Sequence, residues 1–259
     1  MTQITSKTIL FITGAFIDHS CWDNWKQFFQ QRGYKAIVAP WPAKGADAAT
    51  LRSRHPDPAL AAVTLQELLA YYTAIIQGLP EAPILIGHSY GGLLTQLLLN
   101  RDLAAAGIAI HSVPPQGIIP LEPRFYLSNT PALGFFTDIN KTYLMPFKTW
   151  QRVFTNGMAF TEQQTSYYAH CIPESKRALR GGLGSAARVQ FKKPHRPLLM
   201  VAGRNDHCMP WTLNRRNYKA YQHKDSVTDF MVKPRNHYVL GLPTWEEDAS
   251  DILDWIKQH

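Results

Sequence analysis

The sequence predicts an α/β fold: a mostly parallel central sheet flanked by helices, with one mainly helical insertion. Three observations predict it. Short apolar runs such as Ile9–Ile12, 83–86 and 197–202 are continuous rather than alternating, as strands buried on both faces are. These runs alternate with stretches of helical periodicity, the order that builds parallel strands joined by helices. The alternation lapses between Val113 and about Pro194, where aromatic side chains become dense, and then resumes.

The first strand, Ile9 to Ile12, ends at Gly14. From Trp22 to Arg32 the apolar residues Trp22, Trp25, Phe28 and Phe29 recur at helical spacing, and Gly33 stands where a left-handed residue closes a helix. Ala36 to Ala39 is the next strand. The stretch Trp41 to Pro58, with Pro42, Pro56, Pro58 and Gly45, reads as a long surface excursion. A single helix is expected from Ala59 to Gly78, carried by Val63, Leu65, Leu68, Leu69, Tyr72, Ile75 and Ile76.

Pro83 to Ile86 is a short strand running straight into Gly87–Gly92, after which Leu93 to Asn100 is strongly helix-forming. Further strands are expected at Gly107–Ile110, at 197–202 and at 227–232, with a closing amphipathic helix from Trp245 to Ile256. Residues 1–112 and 195–259 therefore read as the core, and 113–194 as a mainly helical cap over the carboxyl edge of the sheet. Most of its aromatics are expected to glue the cap to the core. Tyr126, Phe136, Trp150 and Phe154, with Phe16 and Tyr90 from the core, are the candidates for lining a pocket.

With 259 residues, 45% hydrophobic and 18% charged, the chain suits one large folded domain and excludes disordered, collagen-like and disulfide-scaffold classes. The net charge of +8 is spread along the chain. Its densest cluster, Lys192, Lys193, His195 and Arg196, is interrupted by prolines just before a strand, so a solvated loop is expected and no nucleic-acid partner. The three cysteines, Cys21, Cys171 and Cys208, have neither disulfide-framework nor zinc spacing. Met1 to Lys7 and the short apolar run before Gly14 are too brief for a signal peptide or a membrane span, and a cytoplasmic location is expected. No metal cluster or dinucleotide fingerprint implies a cofactor.

Gly87-His88-Ser89-Tyr90-Gly91 has the G-x-S-x-G spacing of a nucleophile elbow, directly after an apolar strand and directly before a helix. The turn is so sharp that side chains two positions either side of the serine would clash, which accounts for both glycines. A phosphate-binding loop is excluded because its lysine and second hydroxyl residue are missing. A serine hydroxyl needs a base, and on this architecture the partners follow in the order serine, acid, histidine. Of the ten histidines, His237 lies in a polar loop between the last expected strand and the closing helix. Asp206 follows the strand ending at Ala202 and is placed to orient His237. His207 is adjacent to that carboxylate but cannot also reach Ser89. An oxyanion would be met by backbone N–H groups, one from Tyr90 and the other from Ala15, with Phe16 the second choice in that loop.

These residues, from Thr13-Gly14-Ala15 with Trp22 downstream, through Gly87–Gly92, to Gly203-x-x-Asp206-x-x-x-Pro210 and His237, resemble the α/β-hydrolase superfamily over nearly the whole chain. Within it the chain looks like the small capped bacterial esterase- and lipase-like serine hydrolases. Thr13-Gly14 departs from the His-Gly usual before the oxyanion residue. The resemblance implies the α/β-hydrolase fold and hydrolysis of a carboxylic ester or thioester of a small apolar or aromatic molecule, through an acyl-enzyme on Ser89. It leaves open non-hydrolytic chemistry of the hydroxynitrile-lyase, perhydrolase or haloperoxidase, or cofactor-independent dioxygenase type, and a ligand receptor that keeps the triad.

Overall fold

The computed structural model describes residues 3–259; Met1 and Thr2, part of the amino-terminal stretch read above, lie outside the described residues. Six strands form one sheet: β1 (Thr8–Ile12), β2 (Lys35–Val38), β3 (Ile84–His88), β4 (Ala106–Ile110), β5 (Leu198–Gly203) and β6 (Thr228–Lys233). Their spatial order is β2-β1-β3-β4-β5-β6, and every neighbouring pair is parallel. The four inner strands are buried along their whole length, which is why their sequences read as unbroken apolar runs.

The chain steps outward from β1 to β2, then returns to the other side of β1 for β3. That reversal leaves a crevice at the carboxyl ends of β1 and β3, where open α/β sheets place their ligands. Beside it runs α5 (Tyr90–Asn100), buried from Tyr90 through Leu99 against β3 and β4. Each of Leu93, Leu94, Leu97 and Leu98 contributes about 1.5–3 kcal/mol by leaving water. On α1 (Asp23–Gln30), Trp25 and Phe28 pack on Trp245 of α11 (Trp245–Gln258), with ring centroids 6.2 and 6.1 Å apart. A third flank is α10 (Trp211–Ala220), whose Asn217 donates to Gln96 of α5 at 3.0 Å.

Two local expectations are corrected. The helix expected over Ala59–Gly78 is broken into α3 (Pro58–Ala62) and α4 (Leu65–Gln77). The first ends at Val63, whose ψ of 130° leaves the helical path, and Thr64 starts the second: its hydroxyl accepts from Glu67 N at 3.2 Å, and the Glu67 carboxylate accepts from Thr64 N at 2.8 Å. The excursion over 41–58 is not wholly irregular, because the Asp47 side chain caps a short helix, α2 (Ala48–Ser53), through Thr50 N at 2.8 Å.

Between β4 and β5 the chain leaves the sheet and carries α6 (Pro123–Leu133), α7 (Phe147–Val153), α8 (Phe160–His170) and α9 (Lys176–Gly181). This segment is tied to the loop after β1 by the bridge pairing Ile17 with Cys171, and to α5 by the Tyr90 hydroxyl donating to the Ala178 carbonyl. Among the described residues no helix is long and apolar enough to cross a membrane.

Candidate active site

Ser89 stands between β3 and α5 in a backbone conformation few residues adopt, with φ 56° and ψ −115°. It is held there by its neighbours. Its N–H donates to Ile110 O at 2.9 Å, and its carbonyl accepts from Gly92 N and Val113 N, each at 3.0 Å. A Cβ on Gly87 would lie 2.1 Å from Gly91 O, and one on Gly91 would lie 2.1 Å from Ile12 O. Only glycine fits at either place, so the backbone closes tightly enough to leave the Ser89 side chain at the head of α5.

His237 and Asp206, from the loops after β6 and β5, are brought to that serine. His237 Nε2 lies 3.0 Å from Ser89 Oγ, and its Nδ1 lies 2.7 Å from Asp206 Oδ2. The acceptor-only carboxylate assigns the proton of the neutral ring to Nδ1, leaving Nε2 to accept from the serine. Asp206 is fixed by its other oxygen: Oδ1 accepts from Cys208 N and Met209 N, both at 2.7 Å. The same side chain thus shapes the turn before α10 and faces the imidazole. His207 turns instead to the Arg152 carbonyl at 3.1 Å, away from the serine.

All three side chains are buried, with relative exposures of 4% for Ser89 and Asp206 and 0% for His237. Burial alone would raise the Asp206 carboxyl; the imidazole of His237, and after it that of His111, reverse this and hold it well below the usual carboxylate range. Burial pushes His237 down, but the facing carboxylate outweighs it and the ring is raised above the ordinary histidine value. Burial and the neighbouring imidazoles of His237 and His111 hold His88 well below that value. Such an arrangement can draw a proton from the serine hydroxyl and stabilise the imidazolium that results.

Among the described residues the backbone N–H groups of Ala15 and Tyr90 meet no protein acceptor; Tyr90 follows the serine, and Gly14, the residue before Ala15, lies so close that a Cβ there would come within 2.9 Å of Ser89 Cβ. Phe16, the alternative amide in that loop, is corrected: its N–H donates to Glu174 Oε2 at 3.1 Å and is not free for a ligand. The backbone at Phe16 is left-handed, φ 66°, which turns its amide away toward that carboxylate.

A cavity of about 410 Å³ is lined by residues of the 113–135 stretch with Phe16, Tyr90, Leu179, Gly182, Leu183 and Met209, and no charged side chain among them; Ser89 is not on its wall but adjoins it through Tyr90, the next residue, and Val113, whose N–H donates to the Ser89 carbonyl. Tyr126, Phe16 and Tyr90 line this cavity. Phe136, Trp150 and Phe154 do not. Phe136 is fully exposed outside it, and Trp150 and Phe154 are buried and stacked on each other, with centroids 4.4 Å apart. Phe154 meets the His237 ring edge-on at 4.6 Å, so it shields the imidazole from water rather than contacting a cavity ligand.

Three functional candidates escaped the sequence reading. His111 follows β4 and places Nδ1 2.9 Å from Asp206 Oδ2; its signal was the one used for Asp206 and His237, a polar residue just past an apolar strand. Lys44 and Glu174 form a buried ion pair at 2.7 Å between residues 130 positions apart, for which no local pattern exists. Ring nitrogens of His88, His111 and His237 lie within 4.8 Å of one another and could reach a metal ion. His237 already commits both nitrogens to Ser89 and Asp206, so a metal there would dismantle that chain of contacts.

Residues 9–249 match the model of a family described as the alpha/beta hydrolase family. No curated protein matches the chain. Among solved structures, a monoacylglycerol lipase of Paleococcus ferrophilus is 17% identical with a TM-score of 0.67, over 98% of this chain and 96% of that one. A pyrethroid hydrolase from Sphingobium faniae JZ-2 is 20% identical with a TM-score of 0.67, over 97% and 98%. An extracellular alpha/beta-hydrolase from a Paenibacillus species is 17% identical with a TM-score of 0.69, over 95% and 98%. At such identities the likeness is one of fold.

Proposed function

The chain belongs to the alpha/beta hydrolase family, and on that premise we propose that it hydrolyses a carboxylic ester or thioester of a small apolar molecule through an acyl-enzyme on Ser89. The observation that carries this reading is the unbroken run of contacts from Ser89 Oγ through His237 to Asp206, at 3.0 and 2.7 Å. Ser89 Oγ attacks the carbonyl carbon as His237 Nε2 takes its proton. Asp206 holds the ring in the required tautomer and stabilises the imidazolium. The negative charge that develops on the carbonyl oxygen is met by the amides of Ala15 and Tyr90 at the start of α5, where the helix dipole adds to the stabilisation. His237 then protonates the leaving group, and water, activated by the same ring, releases the acid.

The substrate's bulk is taken to be uncharged, since the cavity that adjoins Ser89 through Tyr90 and Val113 offers apolar walls and the polar groups of Gln116, Asn129 and Thr130, with no ionised side chain. We assign residues 1–112 and 195–259 to the core and 113–194 to a cap that supplies most of that cavity. A cytoplasmic location is part of the proposal, supported by the cysteine pattern. The monoacylglycerol lipase and the pyrethroid hydrolase that share this fold are in keeping with a hydrolase reading.

The test is turnover of p-nitrophenyl esters of increasing acyl length by the wild type and by Ser89→Ala. Turnover that depends on Ser89 and improves from acetate to mid-length acyl groups supports the reading. Absence of ester turnover in a protein whose Ser89 still reacts covalently overturns hydrolysis as the reaction.

A further inference from the structure

Asp206 has one more partner than the proposed triad uses. Its Oδ2 faces two imidazoles, Nδ1 of His237 at 2.7 Å and Nδ1 of His111 at 2.9 Å. His111 is the first residue after β4 and is fully buried. Its backbone is left-handed, φ 47°, and is pinned there by its N–H donating to Val201 O at 2.7 Å. Room for the ring exists because residue 203 is glycine: a Cβ there would lie 2.4 Å from His111 Cε1 and 2.9 Å from Nε2.

Packing does not explain such a residue. A buried imidazole loses its hydration, and the Nε2 of His111 finds no hydrogen-bond partner in exchange, so an aliphatic side chain would fill the space at lower cost. What the ring gains is the carboxylate. A bare Nδ1 lone pair 2.9 Å from a carboxylate oxygen would be repelled, so that nitrogen carries a proton. The N–H is not aimed along the line of a hydrogen bond, and the contact acts through its charge distribution at close range.

We infer that His111 is a positioning residue for the base: it shares Asp206 Oδ2 with His237 and so limits how tightly the carboxylate holds the His237 imidazolium. The inference rests on the reading of Ser89, His237 and Asp206 as an ester-hydrolysing triad. The titratable groups around His111 are Asp206 after β5, His237 after β6 and His88 on β3, whose rings lie 6.1 Å (His237) and 6.2 Å (His88) away, with Cys208 beyond the carboxylate. With His111 present, the negative charge of Asp206 is divided between two imidazoles. Without it, the whole charge falls on His237, which then keeps its proton to higher pH.

The experiment compares the pH dependence of kcat/KM for an uncharged ester in wild type, His111→Phe and His111→Asn. Phenylalanine keeps the ring and removes both nitrogens; asparagine keeps a side-chain N–H within reach of Asp206 and tolerates the left-handed backbone. The acid limb is expected to move up by about one pH unit in the Phe variant and to return to the wild-type position in the Asn variant. An unmoved limb in the Phe variant, or an Asn variant that behaves like it, overturns the proposal. Should the Phe variant fail to fold, nitrogen-15 NMR of histidine-labelled wild type reads the same point without substrate: a protonated Nδ1 on His111 is expected, and a bare one overturns the proposal. Failure of the hydrolase reading looks different, as wild type itself would turn over no ester while the His111 resonance remained readable.

Discussion

Glu174 accepts the backbone N–H of Phe16 at 3.1 Å, joining two residues 158 positions apart. The same carboxylate oxygen receives Lys44 Nζ at 2.7 Å, while its other oxygen accepts from Ser175 N at 2.9 Å. The ammonium of Lys44 also lies 4.1 Å from the centre of the Trp41 ring. The loop after β1, which in our account supplies the Ala15 amide to the oxyanion, is thus held in place by a residue of the segment between β4 and β5.

Breaking that pair exposes its cost. Both side chains are at most 2% exposed, so Glu174→Gln leaves a buried ammonium without its counter-charge. A loss of about 3–5 kcal/mol is expected, read as a lower midpoint in urea unfolding. The double variant Lys44→Met with Glu174→Gln removes the charge along with the partner and is expected to recover much of that loss. A single variant as stable as wild type would contradict the arrangement.

Asp206→Asn is expected to keep the turn before α10, because an amide oxygen can still accept from Cys208 and Met209 N. The group facing His237 Nδ1 would no longer be an anion, and the ring would lose both its tautomer and its counter-charge. A fall in kcat of about ten-thousand-fold is expected with thermal stability little changed. Activity within tenfold of wild type would move the acid to another side chain.

The pH dependence follows from the sign of the His237 shift. The base works as neutral imidazole, and the Asp206 carboxylate raises the ring above its ordinary value near about 6.5. Activity is therefore low in acid and rises as pH passes through the raised value, so the acid limb of kcat/KM lies above about 6.5. Stability has the opposite linkage at this group: the contribution of protonated His237 is complete below the ordinary value and lost as pH rises through the raised one. A limb below pH 6, measured as kcat/KM for an uncharged ester, would show that Asp206 does not act on His237 as described.

Leu179 lines the cavity and Phe136 does not. Leu179→Trp, on α9 and facing the cavity, is expected to raise KM for octanoyl esters by about tenfold or more while acetyl esters are little affected, because several methylenes lose their apolar contact. Phe136→Ala, outside the cavity and fully exposed, is expected to leave both unchanged. Equal effects of Leu179→Trp on short and long esters would place the acyl group elsewhere.

The parts of the site legible in the sequence were those with a local cause. The elbow could be read because two glycines, a strand and a helix are all fixed by one tight turn. Asp206 and His237 could be read because each follows an apolar run at the carboxyl edge. His111 follows such a run just as directly, but stands in no motif, and its role depends on Gly203 of a neighbouring strand. Lys44 and Glu174 meet only through the tertiary fold. Phe136, Trp150 and Phe154 were assigned to the cavity on aromatic density, which does not tell a side chain facing a void from one packed beneath it. The break at Thr64 was written in the sequence as a threonine followed three positions later by Glu67, and the apolar periodicity across it masked the signal.

Activation of Ser89 as a nucleophile is read by intact mass after incubation with a fluorophosphonate, in wild type and Ser89→Ala. A single phosphonyl adduct in wild type, absent from Ser89→Ala and slowed in His237→Ala, is the predicted result. No adduct in wild type, or an adduct that persists in Ser89→Ala, would contradict it.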